Sequence, residues 1–144
     1  MDAYVFEAEL VDYPKVSRRI AVRGDQTLED LHEELRRAFE WWDDHLYSFW
    51  FDGEFWGSKE SEYTSPIEPE NGVKTADVEL DRLGLEPGRE LAYVFDFGDE
   101  WRIRLHLDEI RPAGDETYPA ILERRGKAPP QYLIPDEEEL GAGD

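Results

Sequence analysis

Residues 91–107, LAYVFDFGDEWRIRLHL, decide the fold. Leu91, Tyr93 and Phe95 alternate with Ala92, Val94 and Asp96. After Phe97-Gly98-Asp99-Glu100, Trp101, Ile103, Leu105 and Leu107 alternate with Arg102, Arg104, His106 and Asp108. A period of two with an apolar inside and a polar outside is the signature of paired strands, and the Gly-Asp step between them supplies the turn. A sheet is therefore expected, and the rest of the chain must be fitted around it.

Upstream, Tyr4, Phe6, Ala8 and Leu10 alternate with Glu7 and Glu9, and a second strand from Arg18 to Arg23 buries Ile20 and Val22. Thr27 is a good N-cap, Glu29 and Asp30 favour the positive end of a helix, and Leu28, Leu31, Leu35, Ala38, Phe39 and Trp42 form the apolar stripe. His45, Tyr47, Phe49 and Phe51 predict a third strand, and Asp52-Gly53 a turn into Phe55-Trp56. Residues 57–75 read as a long loop, and beyond Ile110 the chain is rich in Pro, Gly and charge. The expected fold is α+β: a mainly antiparallel sheet, one principal helix packed on one face, and a β-grasp-like strand-strand-helix-strand opening. Residues 1–134 are expected to form a single domain, and residues 135–144 an acidic, disordered tail.

Composition narrows the function classes. With 36 Asp+Glu against 16 Lys+Arg the net charge is −20, which repels nucleic acid and anionic lipid. There is no cysteine, no basic-then-apolar leader and no apolar run near the roughly 18 residues of a membrane span, so a cytoplasmic protein with no membrane partner is expected. No phosphate-binding, dinucleotide, serine-hydrolase or HExxH signature occurs, and no cofactor is expected.

Three segments, Thr27 to Phe51, Tyr93 to Trp101 (YVFDFGDEW) and Tyr118 to Pro130 (YPAILERRGKAPP), resemble the plasmid pRiA open-reading-frame-three-like family, which includes proteins labelled insertion-element passengers. The resemblance implies a shared fold and an association with plasmids or mobile elements, and no particular activity. Members often carry His two residues after the hairpin Trp, where this chain has Ile103. They often follow Pro-Pro with an acidic and Cys-Gly-Gly stretch, where this chain has Gln131-Tyr132-Leu133.

Three chemistries remain. Trp41, Trp42, Trp50 and Trp56, with Trp101, are more aromatic surface than one strand and a helix end bury, which predicts an interaction surface and a protein partner. The leading expectation is thus a non-enzymatic binding module. Asp43, Asp44 and His45, with Asp99 and with His32 on the preceding helix, are the candidates for a metal-dependent carboxylate and histidine enzyme, although their spacing matches no metal motif. Asp96 and Asp99 flank the hairpin tip, where Asp and Gly equally serve the turn. Nucleic-acid association would need a local basic face, for which Arg102, Arg104, Arg124 and Arg125 are the candidates.

Overall fold

In a computed structural model, which describes residues 1–132, the alternating segment forms the middle of one eight-stranded sheet. The elements are β1 (Asp2–Leu10), β2 (Ser17–Arg23), α1 (Leu28–Ala38), β3 (Tyr47–Trp50), β4 (Glu62–Thr64), β5 (Lys74–Thr75), β6 (Glu90–Phe95), β7 (Trp101–Pro112) and β8 (Ala120–Arg125). The strand order is β5-β4-β3-β6-β7-β1-β2-β8. Every neighbouring pair is antiparallel except β4 and β5.

This architecture corrects the α+β expectation. The protein is predominantly sheet, with a single α-helix among the described residues. In a β-grasp the strand that returns after the helix to lie beside the first strand runs parallel to it. Here β1 is flanked by β2 and β7, both antiparallel, and β3 pairs with β4 and β6 instead. The reason is the hairpin itself: β7 presents Ile103, Leu105 and Leu107 in antiparallel register with Leu10, Ala8 and Phe6 and so occupies the edge of β1 that a grasp gives to a parallel strand. The remaining β1 pairing accommodates a bulge between Val5 and Phe6.

Alternation sorts the side chains as the sequence requires. Tyr4, Phe6, Ala8 and Leu10 share one buried cluster with Tyr47, Phe49, Leu91, Tyr93, Phe95, Ile103, Leu105 and Leu107, and with Leu28, Leu31, Leu35 and Ala38 of α1. Each such aliphatic side chain contributes about 1.5–3 kcal/mol by leaving water. The opposite face carries two small patches, Ala3, Val5 and Ala21 with Tyr118, and Trp50, Ala92 and Val94 with Phe55 and Phe97. Charged residues occupy the ground between them, Arg19 lying against Glu7, Asp108 and Glu109.

α1 begins with a reciprocal cap: Thr27 Oγ1 accepts from the Asp30 amide at 3.1 Å, and Asp30 accepts from the Thr27 amide at 2.9 Å. Its C-terminal end is met by Arg18, which shares the inward face of β2 with Ile20 and Val22 and is 2% exposed. Its guanidinium donates to the carbonyls of Ala38 (2.8 Å), Ser17 (2.7 Å) and Arg125 (2.8 Å) and lies over the Phe39 ring. One cation thereby ties α1 to β2 and β8 and favours the negative end of the helix.

Other local expectations also change. No strand forms at Phe55-Trp56; the Asp52 carboxylate accepts from the amides of Glu54 (3.1 Å) and Ser58 (3.0 Å) and folds that segment into a compact turn, so β3 pairs with β4. The span 57–75 contains β4, β5 and a short 3-10 turn at Lys59–Ser61. β8 lies in the Pro- and Gly-rich region after Ile110. The tail expected at 135–144 lies outside the described residues.

Arg18→Met keeps the length of the side chain and removes its donors, leaving buried carbonyls unpaired. The expected cost is about 3 kcal/mol, read as a lower urea midpoint at unchanged denaturant slope. A midpoint equal to wild type would show that the guanidinium does not hold α1.

Candidate functional site

The chain between α1 and β3 contains Asp43-Asp44-His45. The three residues point to two different places. Asp44 turns back to α1, where its Oδ1 lies 3.0 Å from Nε2 of His32. Nδ1 of His32 lies 2.8 Å from the hydroxyl of Tyr93 on β6. The imidazole is 1% exposed and stacks on Tyr47 with centroids 3.5 Å apart and planes 10° apart. A carboxylate only accepts, so Nε2 carries the hydrogen and Nδ1 accepts from the Tyr93 hydroxyl. Both ring nitrogens are thereby satisfied.

Burial pushes the His32 pKa down against the pull of Asp44, and the hydrogen bond from His32 holds Asp44 below the ordinary carboxylate range. Both shifts make acid destabilising. The unfolded chain takes up the imidazole proton near about 6.5 and the carboxylate proton near about 3.9, in each case at higher pH than the folded protein does. Stability is therefore lost as pH falls through each interval.

Liganding atoms of His32, Glu33 and Asp44 lie within 4.8 Å of one another, the one such His and acid group among the described residues. A cation already occupies this corner. Arg36 Nη1 donates to Glu33 Oε2 at 3.1 Å, and its Nε is 3.5 Å from Asp44 Oδ1. A metal would have to displace that guanidinium and transfer the Nε2 hydrogen.

Asp43 and His45 turn the other way. His45 Nε2 donates to the Tyr132 hydroxyl at 2.5 Å, and Tyr132 donates to Asp43 Oδ2 at 2.7 Å, with Asp96 Oδ2 3.4 Å from the imidazole. The Asp43 hydrogen bond raises the Tyr132 pKa to about 12, so the phenol keeps its proton at neutral pH. Asp96 has φ 62° and accepts from the amides of Gly98 (3.1 Å) and Asp99 (3.3 Å), a turn role. Asp99 sits beyond it on the rim of a groove, so the four sequence candidates divide between two clusters and a rim.

The five tryptophans also separate. Trp41 and Trp50 are buried, Trp41 stacked on Phe95 at 4.5 Å. Trp56 is 47% exposed and leans on Trp50 and Phe97. Trp101 is half-buried between Tyr13 and Trp41. Trp42 is 75% exposed, its ring edge-on to Tyr132 at 5.9 Å. Two adjoining depressions lie on this side of the molecule, one of them reaching Trp42. One of 370 Å³ is lined by Asp12, Asp99, Glu100 and Trp101, the other of 490 Å³ by Glu40, Trp42, Lys127, Ala128 and Pro129; both share Tyr13, Pro130, Gln131 and Tyr132. Gln131 anchors this wall by accepting from the Asp43 amide at 3.0 Å and donating to the Asp43 carbonyl at 2.6 Å. Sequence reading gave Gln131 and Tyr132 only as a departure from the resembled pattern and did not place them or Tyr13 at a site, because each belongs to a turn or irregular segment with no periodicity.

The candidate basic face is largely neutralised. Arg102 pairs with Asp12 (3.0 Å), Arg104 lies 3.7 Å from Glu90, and Arg125 pairs with Glu123 (2.8 Å). Arg124 and Arg125 sit on β8, separated from β7 by β1 and β2.

Tyr93→Phe leaves Nδ1 of His32 buried without a donor and is expected to cost about 1–3 kcal/mol. Ring nitrogen NMR shifts should report a neutral His32 with the hydrogen on Nε2; the opposite tautomer would refute the assignment. The urea midpoint should fall between about pH 7.5 and about pH 5.5, and His32→Leu should flatten that fall.

Residues 2–133 match the family described as plasmid pRiA4b ORF-3-like protein. The uncharacterized protein y4hQ of Sinorhizobium fredii (strain NBRC 101917 / NGR234) is 30% identical over 120 residues, covering 82% of this chain, which spans 59% of that relative's length. The crystal structure of MM3350, a protein of unknown function from Methanosarcina mazei Go1, is similar in fold, with a TM-score of 0.72 at 24% identity over 90% of this chain and 72% of that one. Ile103, where the sequence departs from the resembled pattern, is buried opposite Tyr93. The match over nearly the whole described chain places it: this chain belongs to the plasmid pRiA4b ORF-3-like protein family.

Proposed function

We propose that the chain is a non-enzymatic protein-interaction module and that the groove beside Trp42 is its contact surface. The observation that carries this reading is the exposure of Trp42, 75%, on a groove lined by Tyr13 and Tyr132 that adjoins the depression at Trp101. An indole left in water gains when a partner covers it, and a rigid aromatic is the usual anchor of an interface. The depression that Trp42 lines is also lined by Pro129 and Pro130 and by Gln131, which is clamped on the Asp43 backbone, so little ordering is needed on binding. The plasmid origin in the family's name supports a partner among the proteins that plasmids or mobile elements encode or recruit. A cytoplasmic setting is consistent with this role; no helix among the described residues is long and apolar enough to cross a membrane.

A metal-dependent reading draws on His32, Glu33 and Asp44 alone. It requires zinc or manganese to bind wild type and not His32→Ala, and equal titrations of the two would end it.

Wild type, Trp42→Ala and Trp56→Ala, used as baits in a host lysate with quantitative mass spectrometry, test the interaction reading. Proteins retained by wild type should be lost with Trp42→Ala and kept with Trp56→Ala. Because Trp42 is exposed, its variant should unfold within about 0.5 kcal/mol of wild type. An identical retained set on the Trp42→Ala bait would remove the groove from the proposal.

A further inference from the structure

We infer that the occupant of the groove is an extended polypeptide segment carrying Lys or Arg side chains, an inference that rests on the groove being the interaction surface. Shape supplies the first argument. The two depressions adjoin at Tyr13, Pro130, Gln131 and Tyr132, one of them reaching Trp101 and the other Trp42. Two adjoining depressions suit successive side chains of an extended or polyproline II strand better than one small rounded ligand.

Charge supplies the second. Asp99 and Glu100 stand at the Trp101 end and Glu40 at the Trp42 end, all exposed. None of the three has a cationic side chain within ion-pairing distance among the described residues, although most of the chain's arginines are paired. Lys127 is the one cation on the lining of these two depressions. Three open carboxylates around exposed aromatic faces recognise a cation by Coulomb attraction and by cation–π contact with Trp42. A net charge of −20 brings a basic segment in and keeps nucleic acid out.

Fluorescein-labelled (Pro-Arg)5, (Pro-Ser)5 and (Pro-Glu)5 peptides, titrated with the full chain and read by polarisation, test this. The basic peptide should bind and the acidic one should not. Trp42→Ala should weaken binding about tenfold. The triple variant Glu40→Gln, Asp99→Asn and Glu100→Gln should also weaken it about tenfold, whereas Glu9→Gln, Glu54→Gln and Glu86→Gln together, which remove the same charge from exposed sites off the groove, should not. Equal weakening by both triples would reduce the effect to the overall field and overturn the proposal. Trp42-dependent binding of (Pro-Ser)5 but not (Pro-Arg)5 would overturn the cationic occupant and leave the interaction surface standing. Binding of the basic peptide that ignores Trp42→Ala would overturn it too. Failure of all three peptides while Trp42 still governs capture from lysate would overturn this inference alone.

Discussion

β7 hydrogen-bonds β6 along one edge and β1 along the other, and among the described residues it is the strand that joins the two halves of the sheet. Its partners lie on opposite sides in sequence: β6 is adjacent through a short turn, while β1 is about a hundred residues away at the chain's start. The local pairing can form early, but the distant one has to pay a large loop-closure cost before its contacts return anything. Ile103, Leu105 and Leu107 face the same buried cluster from the middle of that strand. The groove's Trp101 begins the same strand, so the site and the core depend on one register.

Around that axis the protein uses a few buried polar groups where aliphatic ones would be simpler. Arg18 is bonded to three carbonyls, and His32 to a tyrosine and a carboxylate. Such groups stabilise little in net terms, since desolvation offsets most of what the bonds return. Their geometry is directional, and that is the benefit: Arg18 fixes where α1 ends, and His32 fixes the face α1 presents to β6. The segment leaving α1 then has a defined start, with Trp41 inward on Phe95 and Trp42 outward beside Tyr132.

The sheet was legible because alternation is a local property. Tyr4 to Leu10 and Leu91 to Leu107 identify their own faces without knowing their partners. Strand order was not legible, since nothing local in Tyr47 to Trp50 says whether β1 or β6 will lie alongside; hence the grasp-like expectation failed. β8 escaped because an edge strand with Glu123, Arg124 and Arg125 exposed has little apolar rhythm. At the site, the Asp43-Asp44-His45 triplet was visible as chemistry, but adjacent residues in a connection face apart, and this pair of turns sends Asp44 to His32 and Asp43 to Tyr132. Exposed and buried tryptophans could not be told apart by composition; Trp41 and Trp42 are neighbours with opposite fates.

The Gln131 clamp carries an implication for biosynthesis. A nascent chain emerges from the ribosome in order, and the residues that close the groove, Pro129 to Tyr132, are added after every strand of the sheet. A chain ending after β8 has every one of these strands, but Trp42 then lacks the Pro129-to-Tyr132 segment beside it. Chains cut short before Gln131 would carry the strands of the sheet without the side chain that clamps the Asp43 backbone, so the point of truncation separates the sheet from the groove.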